Sequence, residues 1–181
     1  YYKFALQWIT LIALPINPLI ATTYPEIARA WAEKRLADLR NLLRRVSLVA
    51  GGWTGAIALG LALFGQFFFF HPWPLFGRQV PLYSSEYLPG FPILLIMLAG
   101  YGVANILFWN RSLLLAQDRA GLALKISFIA MALKLILGVI LLPRTPYWVE
   151  AVLLSSYFIL SVGWMTRAGL QRLREATLQQ P

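Results

Sequence analysis

Two cationic side chains stand inside long apolar stretches, where a charge is costly and therefore informative. Lys134 lies near the middle of residues 122–142, and Arg111 lies within residues 91–117. A Lys or Arg at the centre of a membrane helix costs ~2.5–3.5 kcal/mol on insertion scales. Either cation could face a water-filled cavity and accept an anionic head group. Alternatively, Lys134 pairs with a carboxylate elsewhere in the protein, and Arg111 extends to the nearby membrane surface.

Three asparagines also interrupt apolar stretches. Asn105 and Asn110 share the stretch of Arg111, and they either line the same cavity or hydrogen-bond to a neighbouring helix. Asn17 stands between Pro15 and Pro18. A proline removes a backbone donor and clashes with the carbonyl four residues earlier, so the helix here should be kinked or locally unwound. Broken helices are tolerated at membrane depth where they line cavities, although an ordinary kink is an equal alternative.

The elements that must position these residues are five long apolar segments. Each is close to the ~20 residues that a helix needs to cross the hydrocarbon core. Hydrophobic residues make up 59% of the chain, charged residues only 13%, and mean hydropathy is +0.65. We therefore predict an all-α polytopic transmembrane bundle, with residues 1–181 in a single transmembrane domain. The predicted spans are residues 4–23, 46–70, 91–117, 122–142 and 148–165.

The basic residues predict the orientation of these spans. If the five segments alternate, six basic residues of the first connection, two of the third and three of the tail make eleven on one side. They are Arg29, Lys34, Arg35, Arg40, Arg44, Arg45, Arg119, Lys125, Arg167, Arg172 and Arg174. The other side has Lys3, Arg78 and Arg144. The positive-inside rule places the first side in the cytoplasm, and hence the N-terminus outside and the C-terminus inside.

The connections carry their own signals. Residues 24–45 are expected to form a cytoplasmic amphipathic helix, since Thr23 and Glu26 have capping-box spacing and apolar residues recur every three or four positions. That helix either lies on the inner leaflet or couples two halves of a bundle. Residues 71–90 contain four prolines, Pro72, Pro74, Pro81 and Pro89, which predict turns with one short interfacial stretch.

Composition excludes several kinds of chemistry. The sequence has no cysteine and a single histidine, His71, so thiolate, disulfide and multi-histidine metal sites are excluded. It contains no P-loop motif, and neither a metal nor a cofactor is expected. The net charge of +9 follows from loops beside membrane segments, so nucleic acid is not an expected partner. No carboxylate lies in the middle of a segment, so no ion-coupling relay is expected in this portion.

The order of motifs resembles a known family. The run LPINPLIATTYPEIARAWAEKRLADLRNLLRR, residues 14–45, resembles a stretch of the polysaccharide flippases (Wzx-type O-antigen and exopolysaccharide transporters) of the MOP exporter superfamily. LFG at residues 75–77 and SEY at 85–87 resemble that family's outer loop, with residues 78–84 inserted here. LLLAQDRAG at 113–121 and ILLP at 140–143 resemble its later cytoplasmic turn and span end.

The resemblance implies a fold and a function. Family members usually have twelve to fourteen spans in two halves around a cavity, so further N-terminal spans of the same protein are expected. The implied substrate is a polyprenyl-diphosphate-linked oligosaccharide, moved across the bacterial inner membrane for cell-envelope polysaccharide synthesis, without catalysis. Lys134 and Arg111 become candidate diphosphate contacts, and Asn105, Asn110 and Asn17 weaker candidate contacts. Lys134 departs from the family, which tends to have a small polar residue there.

Two other classes remain open. A MATE-like exporter of small molecules would need carboxylates in its cavity. A polytopic membrane enzyme, or a non-catalytic assembly subunit, is the other class. An enzyme would need paired acids or histidines at a membrane face, and only Glu86 and His71 share a loop.

Overall fold

The computed structural model of the chain describes residues 1–75 and 78–179. Two strands, Pro72–Leu75 (β1) and Arg78–Pro81 (β2), pair as an antiparallel hairpin with Pro72 opposite Pro81. Short 3₁₀ helices span Ser85–Tyr87 and Leu142–Arg144. The α-helices are Tyr2–Ala13 (α1), Ile16–Ala32 (α2), Leu36–Phe70 (α3), Gly90–Ile106 (α4), Asn110–Ala116 (α5), Ala120–Leu141 (α6) and Trp148–Leu178 (α7). The described part of the chain is thus nearly all helical, as the all-α part of the prediction requires.

Four stretches are long and apolar enough to cross a membrane: α3, α4 with α5, α6 with the 3₁₀ turn after it, and α7. The pair α1 and α2 makes a fifth if its two helices count as one span, bent by 47°. The helices exceed the predicted spans by nine residues or more at three places. α2 continues to Ala32 rather than ending at residue 23, α3 begins at Leu36 rather than at residue 46, and α7 continues to Leu178 rather than ending near 165.

Two buried clusters show how the helices alternate in direction. One cluster joins Phe4 of α1, Phe69 of α3, Phe91 of α4 and Ala151 of α7. It marks the end of the bundle that carries the β-hairpin, which we call the hairpin end. A second cluster joins Ile27, Leu36, Leu113 and Leu173, from α2, α3, α5 and α7. It marks the opposite end, which we call the basic end because the eleven basic residues named above lie on that side.

Helix α4 is the centre of the bundle, packed against α1, α3 and α7. Its closest approach is to α7, where a Cβ added to Gly100 would overlap the Cα of Ser155. The Ser155 hydroxyl donates a hydrogen bond to the carbonyl oxygen of Ile96 at 2.6 Å. A glycine at such a crossing lets two helix backbones approach, which is how membrane helices gain packing contacts.

The predicted amphipathic helix over residues 24–45 is wrong, because the chain reverses in the middle of it. Lys34 has φ of 55°, and its N–H donates to the Trp31 carbonyl at 3.1 Å while that of Arg35 donates to Ala30 at 2.9 Å. This pair of bonds is a Schellman motif, which ends a helix and satisfies its last carbonyls. The structure therefore divides these residues between the end of α2 and the start of α3.

Two details of that prediction fail for related reasons. Thr23 and Glu26 do not start a helix, since α2 runs through them and continues past Pro25. The apolar positions Leu36 and Leu39 are buried in the cluster of the basic end. Residues that were expected to face the inner leaflet therefore pack against other helices, because the reversal folds α3 back along α2.

The other connections follow the same pattern. Asp118 has φ of 56°, and the N–H groups of Asp118 and Arg119 donate to Leu115 at 3.0 Å and to Leu114 at 2.9 Å, a second Schellman motif. It joins α5 to α6 as the first motif joins α2 to α3. Residues 71–90 hold the β-hairpin and one 3₁₀ helix. Of the motif at 75–77, residues 76 and 77 lie outside the described residues.

Candidate functional site

The first feature of the candidate site is the break between α1 and α2. Pro15 and Pro18 have no N–H group, so the carbonyls of Leu11 and Leu14 lose their usual helical donors. The N–H of Leu14 donates to Leu11 at 3.3 Å, and that of Asn17 donates to Leu14 at 3.3 Å. These tighter bonds replace the missing ones, and the chain bends here by 47°, at the place where the prolines predict a kink.

The second feature is a break in the third predicted span. α4 ends at Ile106 and α5 begins at Asn110, with residues 107–109 between them. The N–H of Asn110 donates to Leu107 at 3.0 Å, so a short turn bridges the gap. The sequence predicted one continuous helix here, because no proline or glycine lies in this turn. Among the described residues two predicted spans are therefore interrupted: the first by a 47° bend at the prolines, and the third by a short turn that leaves residues 90–116 one stretch long enough to cross a membrane.

Two tryptophans, one on α3 and one in the second break, connect α3 to the two breaks. The indole N–H of Trp53, on α3, donates to the carbonyl oxygen of Ile12 at 3.1 Å, beside the first break. The indole N–H of Trp109, inside the second break, donates to Oγ of Ser47 on α3 at 2.6 Å. Ser47 and Trp53 are six residues apart, or ~9 Å along the helix. One unbroken helix thus holds both irregular segments.

The two broken spans run side by side, since α1 packs on α4 and α2 on α5. Phe4 shares a cluster with Phe91, and Ile27 shares one with Leu113. The difference in residue number between facing residues of the two spans is therefore nearly constant, and we call it the offset. With that offset the first break lies about seven residues, or ~10 Å, closer to the hairpin end than the second. This stagger matches the separation of Ser47 and Trp53 on α3.

Four predicted site residues lie at the breaks. Asn105, in the last turn of α4, and Asn110, the first residue of α5, are both buried and flank the second break. Arg111 follows directly and is exposed. Asn17 lies in the first turn of α2 and is also exposed. The structure therefore groups Asn105, Asn110 and Arg111 around one break and leaves Asn17 at the other.

Lys134 lies elsewhere and has a partner. Its Nζ is 2.5 Å from Oε1 of Glu150, in the first turn of α7, and the two side chains are only 17% and 28% exposed. This contact agrees with the second of the two interpretations of Lys134 given above, a pair with a carboxylate elsewhere in the protein. The 3₁₀ turn and short loop after α6 bring the start of α7 back beside its last two turns. Lys134 and Arg111 are not brought together.

A phenol lies beside this ion pair. The hydroxyl of Tyr2, from α1, is buried and has no hydrogen-bond partner within the part of the chain that the structure describes. It interacts electrostatically with Glu150 and with Tyr101 of α4. Four helices thus bring polar or charged groups together near the hairpin end. Breaking the Lys134–Glu150 pair would leave a charge in this half-buried setting without its counter-charge.

The basic end has an exposed charge cluster at the first Schellman turn. Arg35 contacts the carboxylates of Glu33 at 2.7 Å and Asp38 at 3.4 Å. The hydrogen bond to Glu33 raises the pKa of the Arg35 guanidinium, which stays charged. Such exposed pairs contribute little to stability. Deeper in this end, the amide of Gln117 donates to the Gly169 carbonyl at 3.0 Å and ties α7 to the second Schellman turn.

Sequence reasoning missed the residues that hold the breaks. Trp53 and Trp109 lie within long apolar stretches of the sequence, whereas membrane tryptophans are most frequent at the interfaces. A buried indole N–H needs an acceptor, so a tryptophan far from a span end was a usable signal. Glu150 gave no such signal, because it is the third residue of the predicted span 148–165, where a carboxylate is expected to reach the membrane surface. Its contact depends on where α7 begins.

No family model, curated protein or solved structure matches the chain. Among the described residues no group of three metal-ligating side chains lies together. The family resemblance therefore stays a prediction, and the functional argument below depends on the geometry of the broken spans.

Proposed function

We propose that this chain is part of a membrane transporter rather than an enzyme, of the flippase type that moves polyprenyl-diphosphate-linked oligosaccharide across the bacterial inner membrane. One observation carries the proposal: two broken spans lie side by side, with polar and cationic side chains at a break. Irregular backbone at membrane depth is tolerated only where protein buries it or water-filled cavities reach it. In transporters, discontinuous helices of this kind form the substrate site.

Within this proposal, Arg111 is the leading contact for the diphosphate. It is exposed, next to the second break, and among the described residues it makes no ion pair. A guanidinium can bind phosphate oxygens with two parallel hydrogen bonds. Asn105 and Asn110 flank the same break and are candidates for sugar hydroxyls. Lys134 moves to a structural role, since Glu150 already neutralises it.

Transport requires the site to open alternately to each side of the membrane. In this proposal the breaks are the places where the spans bend, and rocking of one bundle against another exposes Arg111 first at the cytoplasmic basic end. The eleven basic residues support that orientation through the positive-inside rule. Further spans of the same protein would close the other side of the cavity.

The test is export of surface polysaccharide in bacteria that lack their own flippase and express this protein in its native full length. Arg111→Gln should lower export at least tenfold at an unchanged protein level, because it removes the charge but keeps hydrogen-bonding groups. Arg111→Lys should keep part of the activity, since the charge survives without the planar fork. Arg40→Gln, an exposed arginine of α3, is the matched control. Normal export by Arg111→Gln would remove the proposed role.

A small-molecule exporter of the MATE type is the second candidate, because Glu150 supplies a carboxylate within the helical bundle. Glu150→Gln discriminates the two. A cation exporter that uses this carboxylate should lose resistance to cationic dyes completely. The flippase should lose export only to the extent that the protein level falls. Retained dye resistance in the variant would eliminate the second candidate.

A further inference from the structure

We propose that the groove between α6 and α7 binds one chain of an anionic phospholipid, with the lipid phosphate at Arg167. The groove encloses about 810 Å³, within the ~300–1,000 Å³ typical of small-molecule sites. Its apolar walls include Ile129 and Leu133 of α6 and Ile159 and Leu160 of α7. This site is separate from the broken spans, and the proposal does not depend on transport.

Small residues make the groove deep. Gly163 lies on its floor, and a Cβ added there would have no neighbour within 4 Å. Ala130 and Ala168 line it from the two facing helices. Large side chains at these three positions would fill the space between α6 and α7. The sequence leaves an open channel, into which an unbranched hydrocarbon chain fits without moving a helix.

The length of the groove matches one leaflet. Its lining on α7 runs from Ile159 to Gln171, twelve residues or ~18 Å of helix. One leaflet contributes about half of the ~30 Å hydrocarbon core. A lipid with its phosphate at Arg167 would lay its chain along eight residues of α7, or ~12 Å, as far as Ile159, which is most of one leaflet. A transmembrane helix would instead need contacts over the full thickness.

The polar end of the groove is basic. Arg167 and Gln171 line it, and both are exposed. Ile126 of α6 and Met165 of α7 share a buried cluster, so exposed Lys125 lies at nearly the same depth as Arg167. None of the residues that line the groove is a carboxylate. Trp164, 50% exposed, lies three residues from Arg167 toward the hairpin end and lines the apolar part of the groove.

This charge distribution selects the occupant. Basic pockets between transmembrane helices at the cytoplasmic side bind anionic lipid head groups. A second copy of this chain would bring another Arg167 or Lys125 to the same place and add repulsion. A neutral lipid would fill the apolar walls but leave Arg167, the cation that lines the groove, without a counter-charge. An anionic phospholipid satisfies both parts of the groove.

The test uses the full chain in vesicles with equal amounts of phosphatidylglycerol and phosphatidylcholine. In parallel samples one of the two lipids carries a photoreactive group near the end of its acyl chain. Mass spectrometry then locates the attached lipid. We expect labelling at Ile129, Leu133, Ile159 or Leu160 to favour phosphatidylglycerol by about fivefold, the ratio that corresponds to ~1 kcal/mol per basic residue near a head group.

Two variants separate the head-group site from the chain site. Arg167→Gln should bring the lipid preference close to one while both lipids still label the groove, and Arg40→Gln should change nothing. Gly163→Leu fills the open space on the floor and should reduce labelling by both lipids several-fold. Gly52→Leu, where an added side chain also meets open space, is its control.

Three results would overturn the proposal. The first is equal labelling by the two lipids in the unaltered chain. The second is a preference that survives Arg167→Gln. The third uses Leu160→Cys, since the sequence has no other cysteine: efficient disulfide formation between two copies would show that a second chain occupies the groove.

Discussion

Trp53 donates its indole N–H to the carbonyl oxygen of Ile12 at 3.1 Å, across 41 residues of sequence. The bond joins the middle of α3 to the last turn of α1, beside the proline break. A carbonyl next to a helix break lacks the regular N–H donor of the following turn, and in a membrane no bulk water can donate a hydrogen bond in its place. This single side chain therefore satisfies backbone that the prolines disturb.

Trp53→Phe should lower stability by about 1–3 kcal/mol, since it leaves the Ile12 carbonyl without its donor. The measurement is unfolding of the purified chain in mixed micelles with increasing denaturing detergent. Trp164→Phe is the control, because Trp164 is 50% exposed against 43% for Trp53 and makes no hydrogen bond within the described residues. Equal losses for the two variants would contradict a role for the hydrogen bond.

Lys134→Met and Glu150→Leu should each lower stability by about 1–3 kcal/mol, because each leaves one half-buried charge without its partner. The double variant should recover much of the loss, since two apolar side chains replace the pair. A double-mutant cycle on the same unfolding measurement gives the coupling. Additive losses would show that the pair contributes nothing.

The same Lys134→Met variant also tests the earlier functional interpretation. We expect polysaccharide export by this variant to fall only in proportion to the protein level, because Glu150 rather than substrate holds the ammonium. Loss of export at a normal protein level would instead support a contact between Lys134 and the substrate.

Gly100→Ala should destabilise the bundle by more than 2 kcal/mol, because the new Cβ meets the Cα of Ser155, which is backbone and cannot move alone. The fraction of chain that elutes as a monodisperse species in mild detergent should fall accordingly. Gly52→Ala is the matched control, since nothing lies within 4 Å of its Cβ position, and it should be neutral or slightly stabilising. A normal yield from Gly100→Ala would show that the backbones of α4 and α7 are further apart at this crossing than the structure has them.

Single cysteines in the cysteine-free sequence test the orientation. Variants at Arg119 and Gln179 should resist a membrane-impermeant thiol reagent in intact cells, whereas those at Ser84 and Thr145 should react. The physical reason is the excess of basic residues on the side of the membrane that holds residues 24–45, Arg119 and the C-terminal tail. The reverse pattern would invert the proposed topology, and reaction at all four would contradict a membrane-spanning bundle.

The sequence predicted the parts of the fold that depend on local chemistry. The predicted apolar stretches located four helical stretches long enough to cross a membrane, and a fifth if α1 and α2 count as one span, because membrane crossing needs ~20 apolar residues. Pro15 and Pro18 located the first break, since the missing N–H groups belong to those two residues. These features need no knowledge of neighbouring helices.

The features that sequence reasoning missed depend on packing. The Schellman turns at Lys34 and Asp118 lack the usual glycine. The apolar residues of 24–45 also keep a helical spacing across residue 34, so the sequence shows no sign of the reversal there. The break before Asn110 contains no proline or glycine, and the hydrogen bond from Trp109 to Ser47 comes from another helix. The Lys134–Glu150 contact depends on how far α7 reaches back along α6. None of these features can be predicted from the sequence of a single helix, because each depends on contacts between helices.

Helix α3 has 35 residues without a break, or ~52 Å, which is longer than the ~30 Å hydrocarbon core. It holds the first break through Trp53 and the second through Ser47, and these two contacts lie ~9 Å apart on the same rod. Any tilt of the rod displaces both attachment points in the same sense. The two breaks are therefore fastened to one rigid helix, so any change in the tilt of α3 would displace both of them together.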